Sequence, residues 1–303
     1  MGSRRLPRPP DHDWTATSES GVIGADGGGV RVRRGPAEAD ENPWLGETLW
    51  CDWSVPPREV RHVTLLPYPV PYLLHMDHRL LLCGVLHSRL TVELTGSGSV
   101  FAQRLRPGGL LALFGHRDAS ALADQAVPVS RWLGTARGSV LAAALDAAVS
   151  PAERAAALQA QLATCATAPD RDGELTRARG VIEAVLRPEK HARIKDAAAR
   201  HSLSIRSLQR LFNTHLGLSP KAATRRCRLL AAAAALTRRP DAWTSVGPQL
   251  GYFDQPHFIN DFTRAIGITP ATFATQCRRT RDAGPPGGRP AIPPPRTAVD
   301  AGA

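Results

Sequence analysis

The carboxyl-terminal third repeats itself at an offset of 50 residues: Ser204 pairs with Asp254, Leu208 with Phe258, Phe212 with Phe262, Gly217 with Gly267, Leu218 with Ile268, Ser219 with Thr269 and Pro220 with Pro270. Seven correspondences at one offset point to one supersecondary unit built twice. The residue types say which unit. Ser204 or Asp254 is an N-cap, whose side-chain oxygen satisfies an unpaired backbone N–H of the first turn. The apolar residues four apart define a buried helix face, and Gly217 or Gly267 ends the helix in the left-handed conformation. Ser219-Pro220, or Thr269-Pro270, then caps a following helix with proline in its first position. A shorter helical stretch precedes each copy, IKDAAAR before the turn HSL and WTSVGPQL before the turn GYF. Short helix, tight turn and capped second helix form the helix-turn-helix pattern.

With Leu208, Leu211 and Phe212 on the buried face, the first capped helix turns Arg206, Gln209 and Arg210 outward, with Ser207 beside them near the helix start. Arg pairs with guanine and Gln with adenine through two hydrogen bonds in the major groove, so these are candidate base-reading residues. The second copy offers Gln255, Pro256, His257 and Asn260, a less basic set from which looser reading is expected. From Ser219 to about Arg238 the helical pattern continues for about 30 Å at ~1.5 Å per residue, close to the roughly 34 Å between successive major grooves on one face of DNA. Lys221, Arg225 and Arg228 form a stripe on that spacer, either as phosphate contacts or as a solvated face. The charge is local as well. From Lys190 to Arg281 there are 16 basic against four acidic residues, whereas the rest of the chain has 22 against 23. A basic segment in an otherwise neutral chain is the footprint of a polyanionic partner, double-stranded DNA here, although a solubilising surface has the same charge.

The remaining sequence divides by composition. Residues 1–43 and 283–303 are rich in Gly and Pro and have the make-up of disordered segments. Residues 44–134 carry short apolar runs broken by Pro and Gly, among them TLWCDWSV, PYLLHM, RLLLCGVL and RLTVELTG, which are strand signals. TGSGSV is expected to be a hairpin connection. Helices are expected around 118–125, 138–149, 151–165 and 173–186, with Ser150-Pro151 as a cap and first turn. The expected fold is α+β: a mixed β-rich amino-terminal domain (44–134), a helical connector (135–187), and an all-α domain (188–282) with two helix-turn-helix units joined by a long helix.

The stretches SIRSLQRLFNTHLGLSP and LGYFDQPHFINDFTRAIGITPATF resemble the two helix-turn-helix units of the AraC/XylS family of transcription regulators. The resemblance covers roughly 190–280. It implies a sequence-specific DNA-binding regulator with Arg206, Gln209, Arg210, Gln255 and Asn260 at DNA-contacting positions. One departure is Gly247-Pro248, where the family has a helix-forming pair; a proline there removes a backbone hydrogen bond and is expected to weaken the second unit. GSGSVFAQRLRPGGLLALFG and LADQAVPVSRWLG resemble an amino-terminal domain often fused to such units, which implies a small-molecule effector of unknown identity or homodimerisation.

Other chemistry finds little support. Cys51, Cys83, Cys165, Cys227 and Cys277 are scattered, with no paired spacing for zinc or redox work. His75-x-x-His78 with Asp77 suggests a metal, but on a strand two residues three apart point to opposite faces, leaving Asp77 to join only His75. Trp44, Trp50 and Trp53 suit a ligand pocket or an ordinary core. No nucleophile sits in a catalytic setting, so neither an enzyme nor a cofactor is expected; the alternative is a DNA-binding unit fused to a DNA-repair-like or metal-binding amino-terminal domain. No apolar run approaches the ~20 residues of a membrane helix and no leader is evident, so a cytoplasmic location is expected.

Overall fold

The computed structural model describes residues 22–23, 29–35, 42–115, 118–164, 170, 173–187 and 194–282. The carboxyl-terminal tail from 283 and most of the segment before Trp44 lie outside them. The first half is built from β1 (Val22–Ile23), β2 (Val30–Gly35), β3 (Leu45–Ser54), β4 (Arg61–Leu65), β5 (Tyr72–Met76), β6 (Arg79–Cys83), β7 (Leu90–Leu94) and β8 (Ser97–Leu105). Then come α1 (Gly109–Phe114), β9 (Ala126–Pro128), α2 (Ser130–Leu133), α3 (Thr135–Ala147), α4 (Pro151–Ala163) and α5 (Glu174–Leu186). The rest is helical: α6 (Ile194–Arg200), α7 (Ile205–Leu216), α8 (Pro220–Arg238), α9 (Trp243–Gln249), α10 (Gln255–Ile266) and α11 (Pro270–Asp282).

The strands form two antiparallel sheets, one in the order β2-β3-β8-β5-β6-β9 and a smaller one in the order β1-β4-β7. Val30, Val32 and Leu49 of the large sheet meet Val63, Leu65 and Leu94 of the small one. The other face of the large sheet buries Trp50, Leu73, Leu80, Leu82, Phe101 and Leu105 against helices. Period-two alternation of side chains gives each strand these two different faces.

Three expectations need correction. Residues 30–35 are not disordered: VRVRRG alternates Val with Arg and pairs in register with β3, its Arg33 forming an ion pair with Asp52. Bulk composition hid that alternation. TGSGSV does not connect a hairpin, because β7 pairs with β4 while β8 pairs with β3 and β5; the turn carries the chain from one sheet to the other, with Gly96 at φ 56. The stretch 135–187 does not merely connect, since Leu141, Leu145, Leu158 and Leu162 of α3 and α4 are buried in the same core as the large sheet. A sheet with two apolar faces needs a covering layer, and these helices supply it.

The His75-x-x-His78 reading also changes. Asp77 and His78 have φ of 50° and 56°, forming a two-residue hairpin loop between β5 and β6, so the histidines are not three steps along one strand. His75 Nε2 and His78 Nδ1 both lie 3.1 Å from Asp146 Oδ1 of α3. The cluster ties a helix to the sheet. Among the described residues no group of three or more His, Cys, Asp or Glu is arranged to hold a metal ion. Cys51, Cys83, Cys227 and Cys277 are buried and form no disulfide with one another, and burial pushes the thiols of Cys51 and Cys227 up to about 11.

The helical half packs directly on the front half. Val70 and Val85 enter the core that α5, α6, α7 and α8 share, and Leu66 enters the core of α8 to α11. Arg226 of α8 is buried, and its guanidinium donates to the carbonyls of Leu86 and of His87, the latter at 2.8 Å.

Candidate nucleic-acid interface

Both capped helices form as their sequences dictate. Ser204 Oγ accepts from the backbone N–H of Ser207 at 3.0 Å, and Asp254 Oδ1 from that of His257 at 2.7 Å. Gly217 and Gly267, at φ 71° and 103°, terminate α7 and α10. Ser219 and Thr269 cap α8 and α11 the same way, accepting from Ala222 and Thr272. Leu208, Phe212 and Leu216 of α7, and Phe258, Phe262 and Ile266 of α10, are almost wholly buried.

The outward faces follow from that burial. On α7, Arg206, Gln209 and Arg210 are exposed. Ser207 is half-buried, and its hydroxyl lies 2.8 Å from that of Ser204, so it belongs to the cap. On α10, Gln255, Pro256, His257 and Asn260 are exposed, although the His257 ring stands edge-on to Tyr252 at 5.2 Å between centroids. Asn213 on α7 and Arg264 on α10 continue these faces and are also exposed. Both are legible from the helical period, once it is followed beyond the first two turns.

The two turns differ by one residue. Leu203 N–H donates to Ala198 O, and Tyr252 N–H to Gly247 O, each closing the end of its first helix. These bonds are 49 residues apart, whereas the caps Ser204 and Asp254 are 50 apart. The extra residue is Phe253, 96% exposed beside the start of α10. Gly247 also has a packing reason, since a Cβ there would lie 3.0 Å from Phe258 Cγ. Pro248 is exposed in the last turn of α9, where the helix continues through it to Gln249.

The stripe on α8 divides. Lys221 is exposed, but Arg225 Nε and Nη2 donate to the two carboxylate oxygens of Asp261 on α10, both at 2.9 Å. A two-pronged pair of this kind fixes orientation as well as distance. Arg228 lies over the Tyr252 ring at 5.1 Å. Arg225 and Arg228 therefore tie the spacer helix to the second unit. The spacing of these arginines was visible in the sequence; their partners, Asp261 for Arg225 and Tyr252 for Arg228, were not.

A helix-turn-helix domain family matches residues 197–276, and a domain family of unknown function (DUF6597) matches residues 43–128. Over 86 residues the chain is 35% identical to the HTH-type transcriptional activator RhaS of Escherichia fergusonii, covering 28% of this chain and 30% of that protein. RhaS of Pectobacterium carotovorum subsp. carotovorum is 33% identical over 79 residues, covering 26% of this chain and 28% of that protein. The carboxyl-terminal domain is of the AraC helix-turn-helix type. Less than a third of either relative's length is covered. Among solved structures, ToxT from Vibrio cholerae aligns over 82% of this chain and 97% of its own, with 10% identity and a TM-score of 0.38.

Proposed function

We propose that the chain is a sequence-specific DNA-binding transcription regulator that sets α7 and α10 into successive major grooves. The observation that carries this reading is the pair of capped helices with exposed polar faces, held apart by α8, which at 19 residues spans about 28 Å at ~1.5 Å per residue. Arg206, Gln209 and Arg210 read bases; Gln255, His257 and Asn260 read more loosely; Lys221 contacts phosphate. Arg225 acts by holding α10 in place. The front domain regulates without catalysing, either by sensing a small molecule or by self-association. No helix among the described residues is long and apolar enough to cross a membrane, and a regulator of this kind works in the cytoplasm alongside its DNA.

Selection of binding sites by the full chain tests the reading. Arg210→Ala is expected to cost about 1–3 kcal/mol at the selected site and to relax the preferred sequence. Affinity should also fall at least about tenfold between roughly 50 and 200 mM salt. An unchanged motif from the Arg206→Ala, Arg210→Ala double variant, or a flat salt response, contradicts it.

A further inference from the structure

The residue by which the turn into α10 exceeds the turn into α7 is a phenylalanine facing water. Leu203 is followed at once by the cap Ser204, whereas Phe253 stands between Tyr252 and the cap Asp254. Both neighbours are fixed. The Tyr252 N–H donates to Gly247 O at 3.1 Å, and its buried ring lies 5.2 Å from that of Phe258. Asp254 Oδ1 accepts from the N–H of His257 at 2.7 Å. With Tyr252 turned into the core and Asp254 bound to the helix start, the side chain between them is left pointing outward.

A single exposed apolar side chain is ordinary on a protein surface. What distinguishes Phe253 is its place. The other large hydrophobics left exposed among the described residues, Val60, Val140, Val149 and Ile205, are aliphatic. Phe253 is aromatic, and it adjoins the helix start that a helix-turn-helix unit directs at base edges. Polar readers are few beside it. Pro256, in the first turn of α10, has neither a side-chain donor nor a backbone N–H. The His257 ring is turned edge-on to Tyr252, with its Nε2 3.7 Å from Asp261 Oδ2. Gln255 and Asn260 remain for hydrogen bonding, and Arg264 stands toward the far end of the helix. The same region of α7 carries Arg206, Gln209 and Arg210. The second helix start therefore suits apolar contact where the first suits hydrogen bonds. In the major groove only thymine, of the four bases, presents a methyl group, and an apolar side chain is its complement. Covering that methyl with the Phe253 ring takes apolar surface of both out of water, and the ring gives up no hydrogen bond in doing so.

We propose that Phe253 is a specificity-determining residue of the second unit, its ring packing on the 5-methyl group of a thymine in the groove that α10 enters. The inference rests on the DNA-binding reading and names what the second unit selects.

The site selected by the full chain should contain such a thymine, and replacing its thymines one at a time by deoxyuridine, which pairs in the same way and lacks only the methyl, tests the contact. At one position binding should weaken by about fourfold, the effect of returning one carbon group to water. Phe253→Ala should bind the thymine site about four- to tenfold more weakly than the parent chain and should no longer distinguish thymine from deoxyuridine at that position. Phe253→Leu, which keeps an apolar side chain, should retain part of the difference. Thermal melts of both variants report folding, and if one fails to fold the other still decides. A selected site without thymine, no methyl dependence at any thymine, or a methyl effect undiminished in the folded variants overturns the proposal and leaves the DNA-binding reading standing. Failure of the full chain to select any duplex overturns both. Unchanged DNA affinity of Phe253→Ala with reduced transcription also overturns it, and assigns the ring to a protein partner.

Discussion

The two helix-turn-helix units share a residue pattern, yet they are anchored differently. The first lends its core to the front domain: Val70 and Val85 sit among Leu208, Phe212 and Leu216, and a Cβ on Gly217 would lie 3.0 Å from the Ala119 carbonyl oxygen. The second is stitched by its own aromatic chain, Tyr252 to Phe258 to Phe262 to Phe273, with successive ring centroids 5.2, 5.7 and 5.4 Å apart. Its ties to the front domain among the described residues are slighter, Leu66 in its core and Arg89 donating to Arg264 O at 3.3 Å. Repetition in sequence thus yields one unit placed to feel the front domain and one placed by the spacer helix.

The largest expected effect separates the two cores. Phe262→Ala and Phe212→Ala should each cost about 3–5 kcal/mol, as for other buried phenylalanines. Hydrogen exchange should place the loss of protection in α9 to α11 for Phe262→Ala. For Phe212→Ala it should extend to Val70 and Val85. Identical protection maps would mean that the two units open as one.

Next come the neighbouring arginines on α8. Arg226→Met removes the donors to Leu86 and His87 from a buried site and should cost about 2–3 kcal/mol, with faster proteolysis around residues 84–89 as the sign that the halves have separated. Arg225 is more open, with its side chain 33% exposed, so Arg225→Ala should cost less, about 1–2 kcal/mol after allowance for solvent screening. Its mark should be in the footprint: protection by the second unit is lost while that by the first is retained. Uniform weakening on all DNA would return Arg225 to a phosphate-contacting role.

Gly247 and Pro248 sharpen the comparison further. In the first unit the position matching Gly247 is Ala198, buried without difficulty. In the second, the Phe258 ring occupies that space, so Gly247→Ala should destabilise by about 1–2 kcal/mol through overpacking. Pro248→Ala, on the exposed side of a final helical turn, should change stability by less than about 1 kcal/mol and leave the footprint unchanged. A lengthened footprint would show that the proline does weaken the second unit. Thermal denaturation and footprinting of both variants decide this.

The smallest effect concerns the front domain and pH. His75 is 3% exposed, and burial lowers its pKa, opposed by Asp146 and reinforced by Arg154 and His78. Its folded-state pKa lies below the unfolded one, so its contribution is intact above about pH 6.5 and is lost as the pH falls toward the folded value. The acid-side fall in Tm should therefore be shallower in His75→Gln than in the parent chain.

The sequence by itself determined the elements whose causes are local. Ser204, Asp254, Ser219 and Thr269 cap helices through bonds to residues three positions on, Gly217 and Gly267 stop them, and the 3.6-residue period separates the buried faces of α7 and α10 from Arg206, Gln209, Arg210 and Asn260. Tertiary structure alone decided the rest, because the partners are distant along the chain. Asp261 is 36 residues from Arg225, and Leu86 is 140 from Arg226. Trp50 pairs with Phe101 by strand register, and Gln159 meets the sheet only because α4 folds back over it. A periodic pattern shows which face of an element is apolar, but only packing determines what that face meets. The division of the spacer stripe therefore became legible only in three dimensions.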